Sequence, residues 1–155
     1  MKLNLGSGDR PLPGFVSVDF VLPCDLRVDL NLNAPWPWAT SSIEEIVAND
    51  ILEHLEDRVH TMNEAHRVLR PGGRILVKVP SASHGAGAWQ DPTHRSAWTL
   101  NSFQYFEDGS GAHQRLAKSY GITARFKIVS LIEQSRIDGL EEVCHILAVL
   151  EAVKP

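Results

Sequence analysis

Cysteine is scarce. Cys24 and Cys144 stand far apart, which excludes a disulfide framework and fits reduced thiols in a cytoplasmic setting. Positive charge is not in excess either: 15 Lys and Arg face 19 Asp and Glu, for a net charge of −4. Such a surface is not built to neutralise a phosphate backbone, so bulk nucleic acid is not expected as a partner. No apolar run approaches the roughly 18 residues that cross a bilayer, so no membrane partner is expected. The opening Met-Lys-Leu-Asn-Leu-Gly has no signal-peptide apolar segment. Internal repeats and low-complexity stretches are missing too. What is present is ordinary for a soluble domain: 155 residues, 43% hydrophobic and 22% charged. That length reads as a single domain, residues 1–155, able to bury a core without disulfide or metal.

The chain is organised around Leu3-Asn4-Leu5-Gly6-Ser7-Gly8. A short apolar run meeting Gly-x-Gly reads as a buried strand ending in a tight turn, where backbone can pass close to a nucleotide. Pro11 and Pro13 leave little room for a helix, so a second strand, residues 15–20, follows almost at once and ends near Asp19. Residues 26–30 read as a third strand carrying Asp29. Asn33-Ala34-Pro35-Trp36-Pro37-Trp38 is a loop in which at least one tryptophan must pack inward. Residues 45–48 form the fourth strand, ahead of Asn49, Asp50 and a turn or short helix through Ile51-Leu52-Glu53-His54-Leu55.

Asp57 is placed to cap a helix whose apolar face is Val59, Met62, Ala65, His66 and Leu69. Arg70-Pro71-Gly72-Gly73 stops it, and residues 74–80 are the fifth strand. Residues 81–99 read as one loop, longer than the roughly 15 residues that structureless connections usually reach. Short helices are expected at 100–106 and 112–120. Residues 125–136 and 141–153 read as a hairpin turning on Asp138-Gly139. The order describes a mostly parallel α/β sheet with helices on its faces. The Gly6–Gly8 turn, Asp19, Asp29, Asn49, Asp50 and the loop after strand five all fall at carboxyl ends of strands, where such sheets bind ligands.

These residues resemble the class I S-adenosylmethionine-dependent methyltransferases. Leu3 to Gly8 looks like the first motif of that family, and Val18-Asp19-Phe20 like the acid after strand two. Ile51 to Leu55 is similar to the segment after strand four. Arg67-Val68-Leu69-Arg70-Pro71-Gly72-Gly73-Arg74-Ile75-Leu76-Val77 looks like the passage from helix to strand five. The resemblance implies a Rossmann-like three-layer sandwich with a seven-stranded sheet and an antiparallel C-terminal hairpin. It also implies S-adenosyl-L-methionine as cofactor and methyl transfer to a small-molecule or glycan oxygen or nitrogen. Two departures stand out. The first helix is shortened or absent, because Asp19 follows Gly8 well short of the roughly 20 residues of a dinucleotide unit. The usual roof helices before strand one are also missing, so an open site, or a homodimer that covers it, is expected.

By the same resemblance the cofactor residues are Leu5, Gly6, Ser7, Gly8, Asp19, Phe20, Asp29, Leu30, Asn49, Asp50 and His54. Asp19 is assigned to the ribose hydroxyls, Asp29 and Leu30 to adenine, Asn49 and Asp50 to the methionyl amine. His94 is the expected base on the acceptor, oriented by Asp91. His84, Asp91 and His94 match no compact metal-ligand spacing, and no metal is expected. Trp89, Trp98, Phe103, Tyr105 and Phe106 flank the long loop as possible walls of an acceptor pocket. Two other functions compete with this one. A nicotinamide-dependent oxidoreductase is opposed by Pro11 where a third glycine would stand. A cofactor-binding module without catalysis would keep the fold and lose the chemistry.

Overall fold

In a computed structural model, which describes residues 1–32, 34–138 and 141–154, the chain runs through β1 (Lys2–Leu5), β2 (Val16–Asp19), β3 (Leu26–Arg27) and β4 (Ile43–Asn49). Helix α1 (Arg58–Val68) and β5 (Leu69–Gly85) follow, then α2 (Gly87–Gln90), α3 (Leu100–Gln104) and α4 (Ala112–Ser119), and finally β6 (Phe126–Asp138) and β7 (Glu141–Ala152). One sheet takes all seven strands in the order β3-β2-β1-β4-β5-β7-β6. β7 runs against both of its neighbours, wedged between β5 and β6. This is the expected α/β sheet with its antiparallel hairpin; the Gly139 turn position and Asn33 lie outside the described residues. No helix among the described residues is long and apolar enough to cross a membrane.

The chain passes from β1 to β2 with no helix between them. Pro11 and Pro13 lack the N–H groups that a helix would need there. Asn4 Nδ2 instead holds the connection by donating to the Arg10 carbonyl at 3.0 Å. The third strand is shorter than expected. Past Arg27 the backbone leaves the sheet, and Asp29 turns it locally by accepting the Asn31 N–H at 3.0 Å. The fifth strand is longer. Leu69 already pairs with Ile43, and pairing resumes at Arg74 with Glu45. Residues 70–73 bulge out between them, with Gly72 in the left-handed region at φ +71°.

The expected loop at 81–99 is therefore partly regular structure. Residues 81–85 extend β5, with Ala82 N–H donating to the Trp98 carbonyl at 2.8 Å and Gly85 opposite Val143. α2 follows directly. Trp98, Phe103 and Phe106 are buried in the core, and Trp89 is 71% exposed. Trp98, Tyr105 and Phe106 line a separate cavity with Val59 and Ile122 that shares no residue with the cleft described below.

Alternation along the strands sorts the sheet into two faces. Leu3, Leu5, Ile46, Ala48, Ile75, Val77, Ile146 and Leu150 point one way and are buried with Met62, Ala65 and Val68 of α1, Phe103 of α3 and Ala117 of α4. Three helices thus cover this face. Among the described residues the opposite layer is thin. The connection before β2 lies over the β1 end, with Lys2 Nζ 5.4 Å from the Phe15 ring centroid. Gly87, first of the four residues of α2, lies against Pro80 and Val143 at the other end. Between them runs a cross-strand row of charge: Lys2 bonds Glu45 at 2.7 Å and Arg74 bonds Glu151 at 2.8 Å, with Glu45 and Arg74 in register.

Candidate functional site

The carboxyl ends of β1, β2 and β4 meet at one cleft. Gly6 (φ +62°) and Gly8 (φ +50°) turn the backbone sharply after β1. Ser7 N–H still donates to the Val18 carbonyl at 3.2 Å, which ties the turn to β2. Asp19 reinforces that tie: its Oδ2 accepts the Gly8 N–H at 2.9 Å and its Oδ1 accepts the Val21 N–H at 3.0 Å. The strand-end acid and the glycine turn are therefore one unit, which explains why so short a connection suffices.

Two cavities open on this unit and a third adjoins them. The first, ≈ 440 Å³, brings together Gly6, Asp19, Phe20, Asp29, Leu30 and His54, with Ile51 and Thr93. The second, ≈ 380 Å³, holds Gly6, Ser7, Gly8, Asn49, Asp50 and Lys78. The third, ≈ 190 Å³, holds Asp50, Glu53, His54, Asp91, His94 and His145. Every expected cofactor and catalytic residue lines one of them except Leu5, whose side chain is fully buried in the core. Gly6, Asp50 and His54 each border two, so the three form a continuous cleft. His84 stands apart, bonded through Nδ1 to Glu133 at 3.0 Å.

The third cavity is crowded with titratable groups. Asp50, in the left-handed region at φ +52°, bonds Lys78 Nζ at 2.6 Å and stands 3.7 Å from His145 Nε2. Burial pushes the Glu53 carboxyl up to about 7, against its own backbone hydrogen bond; the charges of Asp50 and Asp91 push the same way and Lys78 opposes them. Burial, helped by Lys78, holds the His145 imidazole below its ordinary value. Hydrogen bonds from the Thr93 hydroxyl and N–H hold the Asp91 carboxyl low.

The hydrogen bonds around His94 differ from the expected pairing. His94 Nδ1 lies 2.9 Å from the Ala88 carbonyl, and Asp91 Oδ2 is 3.9 Å from Nε2, beyond hydrogen-bond reach. Asp91 instead accepts the Thr93 hydroxyl at 2.7 Å, and Thr93 Oγ1 lies 3.2 Å from His54 Nδ1. The carboxylate thus acts on His54 through a threonine, while a backbone carbonyl sets His94. The two rings meet edge to face, with centroids 4.8 Å apart. The Glu53 carbonyl anchors the incoming loop by accepting the Arg95 and Ser96 N–H groups at 2.7 and 2.9 Å.

Sequence reasoning missed Lys78, Thr93 and His145, and treated Glu53 only as a neighbour of His54. Lys78 carried one usable signal, a lone cation in the apolar run Ile75 to Val79. His145 carried none, because its place depends on the pairing of β7 with β5.

A family model described as a methyltransferase domain matches residues 25–77. A probable S-adenosylmethionine-dependent methyltransferase of Mycolicibacterium smegmatis is 41% identical over 58 residues, which are 36% of this chain and 22% of that protein. The match therefore spans about a fifth of the length of this curated relative. Among solved structures, the YcgJ protein of Bacillus subtilis aligns with a TM-score of 0.64 at 12% identity, over 99% of this chain and 92% of its own. A 1,6-didemethyltoxoflavin-N1-methyltransferase of Burkholderia thailandensis, solved with 1,6-didemethyltoxoflavin and S-adenosylhomocysteine, aligns at 0.61 and 14% identity over 99% and 71% of the two chains. The class I methyltransferase resemblance read from the sequence is borne out, and the fold is theirs.

Proposed function

We propose that this chain is an S-adenosylmethionine-dependent methyltransferase acting on a hydroxyl or amine of a small molecule or glycan. The observation that carries the reading is the convergence of the Gly6–Gly8 turn, Asp19, Asn49 and Asp50 at the carboxyl ends of β1, β2 and β4. The groups there suit the cofactor. Each Asp19 oxygen holds one backbone N–H and keeps a lone pair for a ribose hydroxyl. Ser7 Oγ is buried with no partner, a free polar group beside the methionyl end. Phe20, Leu30 and Ile51 give the ≈ 440 Å³ cavity apolar walls for adenine, with Asp29 at its edge for the amino group. Asn49 and Asp50 hold the methionyl amine, and Leu5 serves only as the buried root of the turn.

When bound, S-adenosylmethionine supplies a methyl group already activated on a sulfonium. The task left to the protein is to align an acceptor and exclude water. His94, its Nδ1 spent on Ala88, presents Nε2 to the third cavity, where it accepts the acceptor's proton. Asp91 steadies His54 through Thr93 on the other wall. A pyrophosphate-bearing nicotinamide cofactor finds little support, because the Gly8 N–H is spent on Asp19 and Pro11 has none to offer.

Titration calorimetry tests the reading. S-adenosylmethionine and S-adenosylhomocysteine are expected to bind and NAD is not, with Asp19→Ala weakening both sulfur ligands at least tenfold. Absence of binding by either sulfur ligand sinks it. Methyl transfer to a panel of small hydroxyl and amine compounds then separates an enzyme from a binding module.

A further inference from the structure

Glu53 is only 2% exposed, yet its Oε2 has no hydrogen-bond partner. A buried carboxylate oxygen without a partner calls for an explanation. One carboxylate oxygen of Glu53 and one ring nitrogen each of His54 and His94 lie within 4.8 Å of one another. The hydrogen bonds behind the two rings fix their tautomers. The Ala88 carbonyl can only accept, so His94 Nδ1 carries the proton. The Thr93 hydroxyl spends its single proton on Asp91, so His54 Nδ1 must donate to Thr93 Oγ1. In the neutral rings each Nε2 therefore keeps its lone pair. This is the arrangement that outer hydrogen bonds impose on metal-bound imidazoles.

We propose that Glu53, His54 and His94 form a binding site for a divalent transition-metal ion of the zinc class, with a coordination position open to the third cavity. Two imidazole nitrogens and one carboxylate oxygen suit such an ion, whereas magnesium and calcium ask for a shell of oxygens. Asp91, 3.9 Å from His94 Nε2 on the same cavity, adds negative charge that favours a cation. A second cluster, His84, Glu133 and Cys144, competes for the same role. There the Glu133 carboxylate is already engaged by Ser81 and His84, and the His84 side chain is largely exposed.

The site does not depend on the methyltransferase reading; only its use does. A hydroxyl or amine coordinated at the open position would lose its proton to water in the open cavity more readily. With the ion bound, His94 Nε2 is a ligand, and the ion takes over the activation assigned above to the free imidazole.

The test uses the full chain freed of metal by a chelator. Zinc chloride is titrated by calorimetry, and cobalt chloride by absorption spectroscopy and proton NMR. One ion per chain is expected, with binding at least tenfold weaker in His94→Ala and Glu53→Gln and unchanged in His84→Ala. The cobalt complex of the unaltered chain is expected to show two hyperfine-shifted, solvent-exchangeable imidazole N–H resonances, from Nδ1 of His54 and His94. That readout needs no variant and stands if a substitution prevents folding. No binding, binding lost in His84→Ala, or a cobalt complex without those two resonances overturns the proposal. Because the titration reads the metal alone, its failure is distinct from a failure to bind S-adenosylmethionine.

Discussion

Two constraints coincide at Gly6. Its φ of +62° is left-handed, and a Cβ there would lie 2.6 Å from Ile51 Cγ1. Left-handed backbone costs an L-residue roughly 1–2 kcal/mol, and Ile51 would have to move into the cavity it lines. Gly8 is also left-handed, but a Cβ would meet open space. Gly6→Ala is therefore expected to lose about 2 kcal/mol or more in urea unfolding and to weaken S-adenosylmethionine binding more than tenfold, with Gly8→Ala milder on both counts. Equal damage from the two substitutions would refute the packing argument. This turn was legible in the sequence because a glycine pattern and a following acid are local signals. Thr93, Lys78 and Glu53 were not, because each acquires its role from a residue far away in the chain: His54, Asp50 and His94.

Helix α1 is held at both ends and along one side. Asp57 caps its start by accepting the His60 N–H at 2.8 Å, as the sequence indicated. Its end lacks a glycine cap; Lys154 Nζ instead donates to the Arg67 carbonyl at 2.9 Å and also to the Leu69 carbonyl, a cation at the negative end of the helix. On its flank Glu64 accepts the Trp36 N–H at 2.6 Å and Arg67 at 2.7 Å, while Arg67 reaches the Trp36 and Trp38 carbonyls. Burial alone would raise the Glu64 carboxyl, but the bonds from Arg67 and Trp36 and the Arg67 charge outweigh it and hold it below its ordinary 4.5. A depressed acid adds stability that is full above its unfolded value and fades as pH falls through the folded one. Chemical denaturation from pH 7 to 3 is thus expected to show stability falling below about pH 4.5. Glu64→Gln should lose roughly 1–3 kcal/mol at neutral pH and flatten the acid slope; an unchanged slope would rule out this brace. That a tryptophan of the Pro-Trp loop packs inward was legible from its cost in water. The brace that orders the loop was not, since Glu64 and Arg67 read as an ordinary charged pair on a helix face.

Over the whole molecule, the parallel sheet and closing hairpin were legible because β-rich runs alternate with one strong helix. The unequal layering was half-written in the same residues. Strands buried on both faces read as continuous apolar runs, yet Lys2, Asn4, Glu45, Arg74 and Glu151 interrupt theirs, and these are residues of the thinly covered face. The placement of β1 beside β2 has a consequence in time. Its pairing with β2, Leu5 opposite Val18, closes a short loop, whereas Val79 of β5 must find Ile146 of β7 across much of the second half of the chain. Loop-closure entropy grows with length, and distant strand pairing slows folding. In pulse-labelled hydrogen exchange during refolding, the amides of Ser7 and Val18 are expected to gain protection before those of Val79 and Ile146. Simultaneous protection, or the reverse order, would contradict this. The glycine turn would then stand complete while the wall that carries His145 is still being assembled, so the two halves of the cleft differ in age at every folding event.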